Sequence, residues 1–228
     1  MVEIFDIGNT CTRIAEWDGE RFVSVRRVAT AEFCGTPGDV PKVAACVCPP
    51  VRERLGGSGI KFITAAEQSS AVDFSLVDTS TLGADRVANA VAAAALYELP
   101  AVVIDCGTAI TMEVVDRDRK FRGGAIAPGR RLMRQALHCG TAQLPEIPLD
   151  GMMPDKPGCN TRDAIRFGVD RGSVGMIKEF LTQVQLYFPV ATVILTGGDA
   201  GYYAAEFPEA VIAGDDFTLT GIRIAGGY

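Results

Sequence analysis

Two stretches of this 228-residue chain put an aspartate at the end of an apolar run, a glycine two positions on, and small polar residues after it: Asp6-Ile7-Gly8-Asn9-Thr10 and Asp105-Cys106-Gly107-Thr108-Ala109. Glycine lets backbone pass where a side chain would obstruct, and Asn9, Thr10, Thr12 and Thr108 supply hydrogen-bonding groups. The carboxylate can hold a cation directly or through water, so such a turn suits the phosphates of a metal-bound nucleotide. Taken singly, each is equally a plain hairpin turn. A third stretch, Thr196-Gly197-Gly198-Asp199, ends an apolar run in two glycines and offers bare backbone to a flat base or ribose; it can also be a simple strand-to-helix turn. A fourth, Gly83-Ala84-Asp85-Arg86, places a carboxylate and a guanidinium at the head of an Ala-rich segment. Asp85 there can act as a proton acceptor, or merely complement a helix dipole. Arg86 suits a carboxylate or phosphate, or a surface acid.

The elements that must position these residues read in two matching halves. Val2-Glu3-Ile4-Phe5 and Arg13-Ile14-Ala15-Glu16-Trp17 predict strands around the first turn, with Asp18-Gly19 a further hairpin. Val102-Val103-Ile104 and the residues after Ala109 repeat that grammar, with Asp116-Arg117-Asp118 as the corresponding turn. Further strands are expected at 22–30, 42–48, 60–65 and 191–196. A helix capped by Ser80 or Thr81 is expected to run to just before Pro100. Gly123–Gly129 opens a helix over 130–138, a Pro-rich loop covers 144–157, a long helix follows from Thr161, and 218–225 closes as a short helix or strand. Arg130, Arg131 and Arg134 form a basic helix face, either solvated or close to phosphate; Thr161 can be a helix N-cap. The expected architecture is α/β: two domains, 1–99 and 100–228, with the last helix able to pack back on the first.

Composition bounds the partners. The formal net charge of −6 argues against a broad nucleic-acid surface, and apolar residues make up 48% of the chain, enough for a substantial core. The N-terminus has no signal-peptide pattern and the Ala-rich segment is too interrupted to span a membrane, so a cytoplasmic protein is expected. The seven cysteines lack zinc spacing and read as reduced, buried thiols. The lone His138 reads as a surface residue in a last helical turn.

In order, these motifs resemble the phosphate-one, phosphate-two and adenosine motifs of the acetate kinase, sugar kinase, Hsp70 and actin superfamily. DIGNT, GADR, DCGTAIT, GGAIAPG, GCNT and TGG together are similar to type III pantothenate kinases over nearly the whole chain. The resemblance implies two similar ribonuclease H-like domains, mixed sheets flanked by helices, facing across a nucleotide cleft. It implies ATP-dependent phosphorylation of the pantothenate terminal hydroxyl, Mg2+ with the ATP, a monovalent cation (K+ or NH4+) and a homodimer, with no nucleic acid and no membrane. Asp85 would be the catalytic base, and Gly83, Ala84, Asp85, Arg86 and Thr161 would contact pantothenate. Asp6, Ile7, Gly8, Asn9, Thr10, Cys11, Thr12 and Arg13, with Thr108, would bind ATP, and Asp105 would hold the monovalent cation. The chain departs from the family pattern at Arg13 (often Lys), Leu76 (commonly Tyr), Thr79 (usually Pro), Ile110 (usually Thr) and Cys159 (commonly Lys). Two other readings follow from those departures: a non-catalytic accessory or regulatory protein, and a kinase of another small hydroxylated substrate.

Overall fold

The computed structural model describes residues 1–67 and 71–228. Its strands are β1 (Val2–Ile7), β2 (Cys11–Trp17), β3 (Phe22–Ala29), β4 (Lys42–Cys46), β5 (Lys61–Phe62), β6 (Ala101–Cys106), β7 (Ala109–Val115), β8 (Phe121–Pro128), β9 (Thr192–Thr196) and β10 (Val211–Ile212). Its α-helices are α1 (Pro49–Arg54), α2 (Ala84–Leu96), α3 (Arg130–Cys139), α4 (Thr161–Gln185), α5 (Ala200–Tyr203) and α6 (Phe217–Gly226). The first five strands form a sheet in the order β3-β2-β1-β4-β5 and the last five a sheet in the order β10-β9-β6-β7-β8. Read from the opposite edge, the second order is the first repeated, so the doubled hairpin of the sequence is a doubled sheet.

Two compact units result. One comprises 1–101, 115–123 and 214–228; the other comprises 102–114 and 124–213. In the first unit, β1 runs antiparallel to β2 and parallel to β4, at the middle of its sheet. A central strand is covered on both faces, and β1 is apolar at four of its six positions, Glu3 and Asp6 being the others. Ile4 packs with Val43, Ala45, Val87, Ala88, Val91, Leu219 and Ile222, which places α2 and α6 on that face. Phe5 and Ile7 pack on the other face with Ile14, Ala44, Val51 and Leu55. Alternation along the strand therefore puts Asp6 on the Ile4 face, the one that α2 and α6 cover. Helices α2 and α6 approach closely: a Cβ at Gly221 would lie 2.0 Å from the Ala88 carbonyl oxygen, and Thr218 bonds Asn89 at 2.9 Å. In the second unit, Val102, Ile104 and Cys106 of β6 pack with Val174, Ile177 and Val184 of α4 and Leu195 of β9.

Several local expectations are corrected. Neither Ser80 nor Thr81 caps α2. Asp78 captures Ser80 through its N–H at 2.9 Å and its hydroxyl at 2.6 Å, and the helix starts only after Gly83. Residues 121–128 form β8, and α3 follows from Arg130, so 123–129 leads into a helix as expected. The 218–225 segment is helical. All seven cysteines are free thiols, but only Cys46 and Cys106 are buried; Cys11, Cys34, Cys139 and Cys159 are exposed because they fall at strand or helix ends and in loops. His138 is exposed in the last turn of α3, with Nδ1 2.8 Å from the Leu144 carbonyl oxygen. Among the described residues, no helix is long and apolar enough to cross a membrane.

Candidate active site

In the first unit the Asp6–Arg13 segment is a tight hairpin loop. The Gly8 N–H donates to the Cys11 carbonyl at 3.1 Å, and a Cβ at Gly8 would meet that same oxygen at 3.0 Å. Asn9, Thr10 and Cys11 are exposed at its tip. Ile7 and Thr12 are fully buried, so only their backbone can face a ligand. The Thr12 hydroxyl lies 2.9 Å from that of Thr30, which donates to the Gly8 carbonyl at 2.8 Å and so braces the loop from beneath. Arg13 stands opposite Asp6 in the ladder and donates Nε and Nη2 to Asp6 Oδ2 at 2.9 and 2.7 Å. Its Nη1 donates to the Asp215 carbonyl at 2.5 Å. As placed, Arg13 holds the Asp6 carboxylate and ties it to the segment entering α6.

Asp85 lies in the first turn of α2 and accepts the Arg86 N–H at 2.8 Å, satisfying one of the donors that a helix start leaves open. Its carboxylate folds back over Gly83: a Cβ there would sit 2.5 Å from Asp85 Oδ1 and 3.6 Å from Val47 Cγ1. Val47 in turn donates its N–H to the Ile7 carbonyl at 3.0 Å, so Gly83 and Asp85 lie where β1 and β4 end. Burial pushes the Asp85 carboxyl above its ordinary value; the Arg86 N–H works against the rise and the Asp6 charge adds to it. A carboxylate so tuned is a stronger proton acceptor than an exposed one. Ala84 is buried, and the Arg86 guanidinium lies 5.7 Å from the Phe121 ring centroid. Leu76, where the family commonly has Tyr, is exposed.

The second unit brings three motifs to one place. Gly107 donates to the Ala109 carbonyl at 3.0 Å, closing the turn between β6 and β7, and Thr108 is exposed on it. Gly129 donates to the Thr108 carbonyl at 3.0 Å and approaches so closely that a Cβ would lie 2.2 Å from the Gly107 oxygen. Asp199 donates its N–H to the Cys106 carbonyl at 2.8 Å. Gly197, at φ +89°, sits where a Cβ would lie 2.3 Å from Asp105 Oδ1. The Asp105–Thr108 turn, the end of GGAIAPG and the TGGD turn are thus packed backbone to backbone. Thr161 is exposed as the first residue of α4, and Asn160 is that helix's N-cap, accepting the Asp163 N–H at 3.0 Å.

The residues present fit the implied cations. Asp105 presents a carboxylate beside the Cys106 carbonyl, an all-oxygen donor set suited to a weakly hydrated monovalent ion. Among the described residues no three His, Cys, Asp or Glu side chains cluster as a cage. Single carboxylates such as Asp6 suit magnesium that brings most of its ligands with a triphosphate.

One feature was not legible as such. Arg130 and Arg134, read as a basic helix face, are each only 2% exposed. Both bond the fully buried Asp170 of α4: Arg130 Nε at 3.0 Å, and Arg134 Nη2 at 2.9 and 2.8 Å. Tyr202 donates its hydroxyl to Asp170 at 2.9 Å. Only Arg131 of the three stays exposed. The signal available was the i, i+4 spacing of the two arginines beside the apolar Met133–Leu137 stripe of α3, together with an aspartate next to Val169 on α4.

A sheet of order 3-2-1-4-5 repeated twice, with a D-x-G hairpin at the corresponding place in each copy, defines the acetate kinase, sugar kinase, Hsp70 and actin superfamily fold. A solved Sinorhizobium meliloti protein described as a 2-dehydro-3-deoxygalactonokinase shares it at TM-score 0.58 and 12% identity, covering 99% of this chain and 95% of that one. A Campylobacter jejuni protein described as a Baf family transcriptional activator shares it at TM-score 0.67 and 22% identity, covering 98% and 96%. Within that class, the profile of the type III pantothenate kinases matches residues 40–183, and the chain belongs to that family. A type III pantothenate kinase of Akkermansia muciniphila is 35% identical over 237 residues, covering 98% of this chain and 97% of the relative.

Proposed function

We propose that this chain transfers the γ-phosphoryl group of ATP to the terminal hydroxyl of pantothenate, the first step of coenzyme A synthesis. The observation that carries the reading is the Asp85 carboxylate: half-buried, raised in pKa, and seated over a glycine that leaves it room. Asp85 accepts the hydroxyl proton as the oxygen attacks the γ-phosphorus, the β–γ bridging P–O bond breaks, and ADP leaves. Gly83 and Ala84 present the start of α2 to the substrate, Arg86 offers its fork to the pantothenate carboxylate, and Thr161 contributes a hydroxyl. The Asp6–Arg13 loop and Thr108 face the ATP phosphates, Arg13 acting through Asp6. Magnesium carried by ATP supplies charge neutralisation at the phosphate oxygens, and a monovalent cation at Asp105 adds to it. A homodimer in the cytoplasm, without nucleic-acid or membrane partners, completes the reading.

The experiment is ADP release by the purified chain with ATP and a panel of acceptors: pantothenate, other hydroxylated acids, and sugars. Pantothenate-dependent release, with 4'-phosphopantothenate identified by mass, supports the reading. Release driven by another acceptor would assign the same chemistry to a different substrate, with Leu76 as the first residue to examine. ATP binding without release under any acceptor would favour the accessory-protein reading.

A further inference from the structure

Arg130 has no part in the roles above, yet it occupies the junction of all three motifs of the second unit. Its backbone follows Gly129, which is tied to the Thr108 carbonyl at 3.0 Å. Its side chain reaches the other turn: Nη1 lies 3.5 Å from Asp199 Oδ1, and the Asp199 N–H is bonded to the Cys106 carbonyl at 2.8 Å. Between these ends the guanidinium is immobilised. Nε bonds Asp170 at 3.0 Å, and Cζ stacks 3.4 Å from the Tyr202 ring centroid. Asp170 is itself held by Arg134 and by the Tyr202 hydroxyl. One nitrogen, Nη2, is buried without a hydrogen-bond partner among the described residues.

Stability alone does not account for this arrangement. Burying a cation costs desolvation, an unpaired N–H adds to the cost, and an apolar side chain of similar size generally packs as well or better. What an apolar side chain cannot do is hold Asp199 from inside the fold. Arg130 is also too enclosed, with Tyr202 over its face, to serve as a phosphate ligand itself.

We propose that Arg130 is a positioning residue: by gripping Asp199 while its backbone is pinned to the Asp105–Thr108 turn, it fixes the TGGD turn and so sets the affinity of this unit for an adenine nucleotide. The proposal rests on the kinase reading above, and places a determinant of nucleotide affinity in a side chain that does not touch the nucleotide. A turn whose two glycines give it freedom to wander needs such an anchor, because each misplaced backbone group lowers affinity without altering the rest of the unit.

The test compares full-length wild type with Arg130→Met, Asp199→Asn and the double variant. ADP affinity is measured by calorimetry with Mg2+ and K+, alongside steady-state KM for ATP and for pantothenate. The expected result is an ADP Kd raised about tenfold in Arg130→Met and several-fold in Asp199→Asn. In the double variant the loss is no greater than in Arg130→Met, because both substitutions cut one link. KM for ATP rises in parallel and KM for pantothenate does not. Arg130→Lys, which keeps the charge but not the fork, recovers only part of the loss. A merely structural role would lower kcat through fewer active molecules and leave the ADP Kd unchanged; that outcome overturns the proposal, as do fully additive losses. Should Arg130→Met not fold, Asp199→Asn decides, since it alters a partly exposed side chain and leaves Asp170 paired. A wild type that binds no ADP overturns the kinase reading and this proposal together. A wild type that binds, beside folded variants that bind equally well, overturns this proposal alone.

Discussion

Arg13 donates two hydrogen bonds to a single oxygen of Asp6, at 2.9 and 2.7 Å, directly across the ladder that joins β1 to β2. The pair is mostly enclosed, at 19% and 17% side-chain exposure, and lies on the sheet face that α2 and α6 cover. An arginine at the end of a phosphate-facing loop invites assignment as a phosphate ligand. Here its three bonding nitrogens go to Asp6 and to the Asp215 carbonyl. In this geometry it fixes and partly offsets the charge of one carboxylate, Asp6, whose charge adds to the rise in the Asp85 pKa.

Arg13→Met should therefore act through Asp85. With Asp6 uncompensated, the negative charge that raises the Asp85 pKa grows, and the acid limb of the pH–rate profile moves to higher pH. The fold loses roughly 1–2 kcal/mol, as expected for a partly buried charged hydrogen-bond pair. The profile of kcat against pH for both proteins, with thermal melts, checks both parts. An unmoved limb would show that Asp6 and Asp85 are uncoupled.

Asp85→Asn should stabilise the protein while disabling it. The folded-state pKa of Asp85 is raised, so ionisation opposes folding: its unfavourable contribution is absent below the unfolded-state value and grows as pH rises through the folded-state value. Asparagine removes that charge and keeps an oxygen for the Arg86 N–H. The variant's melting temperature should approach that of wild type at about pH 3 and exceed it at pH 8, by roughly 2–4 °C per kcal/mol relieved. A variant less stable than wild type at pH 8 would contradict this.

Two glycines should respond differently to alanine. Gly83 has an ordinary helical-entry backbone at φ −59°, and the Cβ would crowd the end of the Asp85 side chain while touching Val47 at an ordinary contact distance. Gly83→Ala should cost less than about 1 kcal/mol of stability but displace the carboxylate and lower kcat by roughly ten- to a hundredfold. Gly197 has φ +89°, and a Cβ would collide with Asp105 Oδ1 at 2.3 Å and the Cys106 carbonyl oxygen at 2.7 Å. Gly197→Ala should cost about 2–3 kcal/mol and weaken ADP binding. Chemical denaturation and ADP titration of the two variants make the comparison.

Asp105→Asn should abolish the preference for potassium over sodium. On the proposed assignment of the monovalent cation to Asp105, the substitution removes the carboxylate charge that would hold it, so pantothenate-dependent turnover should fall in potassium buffer toward the wild-type value in sodium. A variant that keeps the full potassium response would place the cation elsewhere.

Much of this was readable in advance because the repeat is written in residue types with local meaning. Asp-x-Gly after an apolar run specifies a strand and a tight turn wherever it falls, and both copies fold as hairpins in sheets of matching order. Asp85 at the head of an Ala-rich helix was equally local. What was not readable depended on partners distant in the chain. The partners that Arg13 has here, Asp6 across the ladder and the Asp215 carbonyl, could not be read from its loop alone. Thr12 looks like a loop donor until Thr30 takes its hydroxyl into the core. Ser80 looks like a cap until Asp78 competes for it. Arg130 and Arg134 look solvated until α4 presents Asp170 between them.

The central claim is that Asp85 takes the proton from the attacking hydroxyl. The most direct measurement is pantothenate-dependent ADP release in potassium buffer by wild type and Asp85→Asn, with ATP and pantothenate affinities determined on the same preparations. The account predicts that kcat falls by roughly two to four orders of magnitude, with both affinities within about threefold of wild type. An Asp85→Asn protein that binds both ligands and turns over at near the wild-type rate would contradict it.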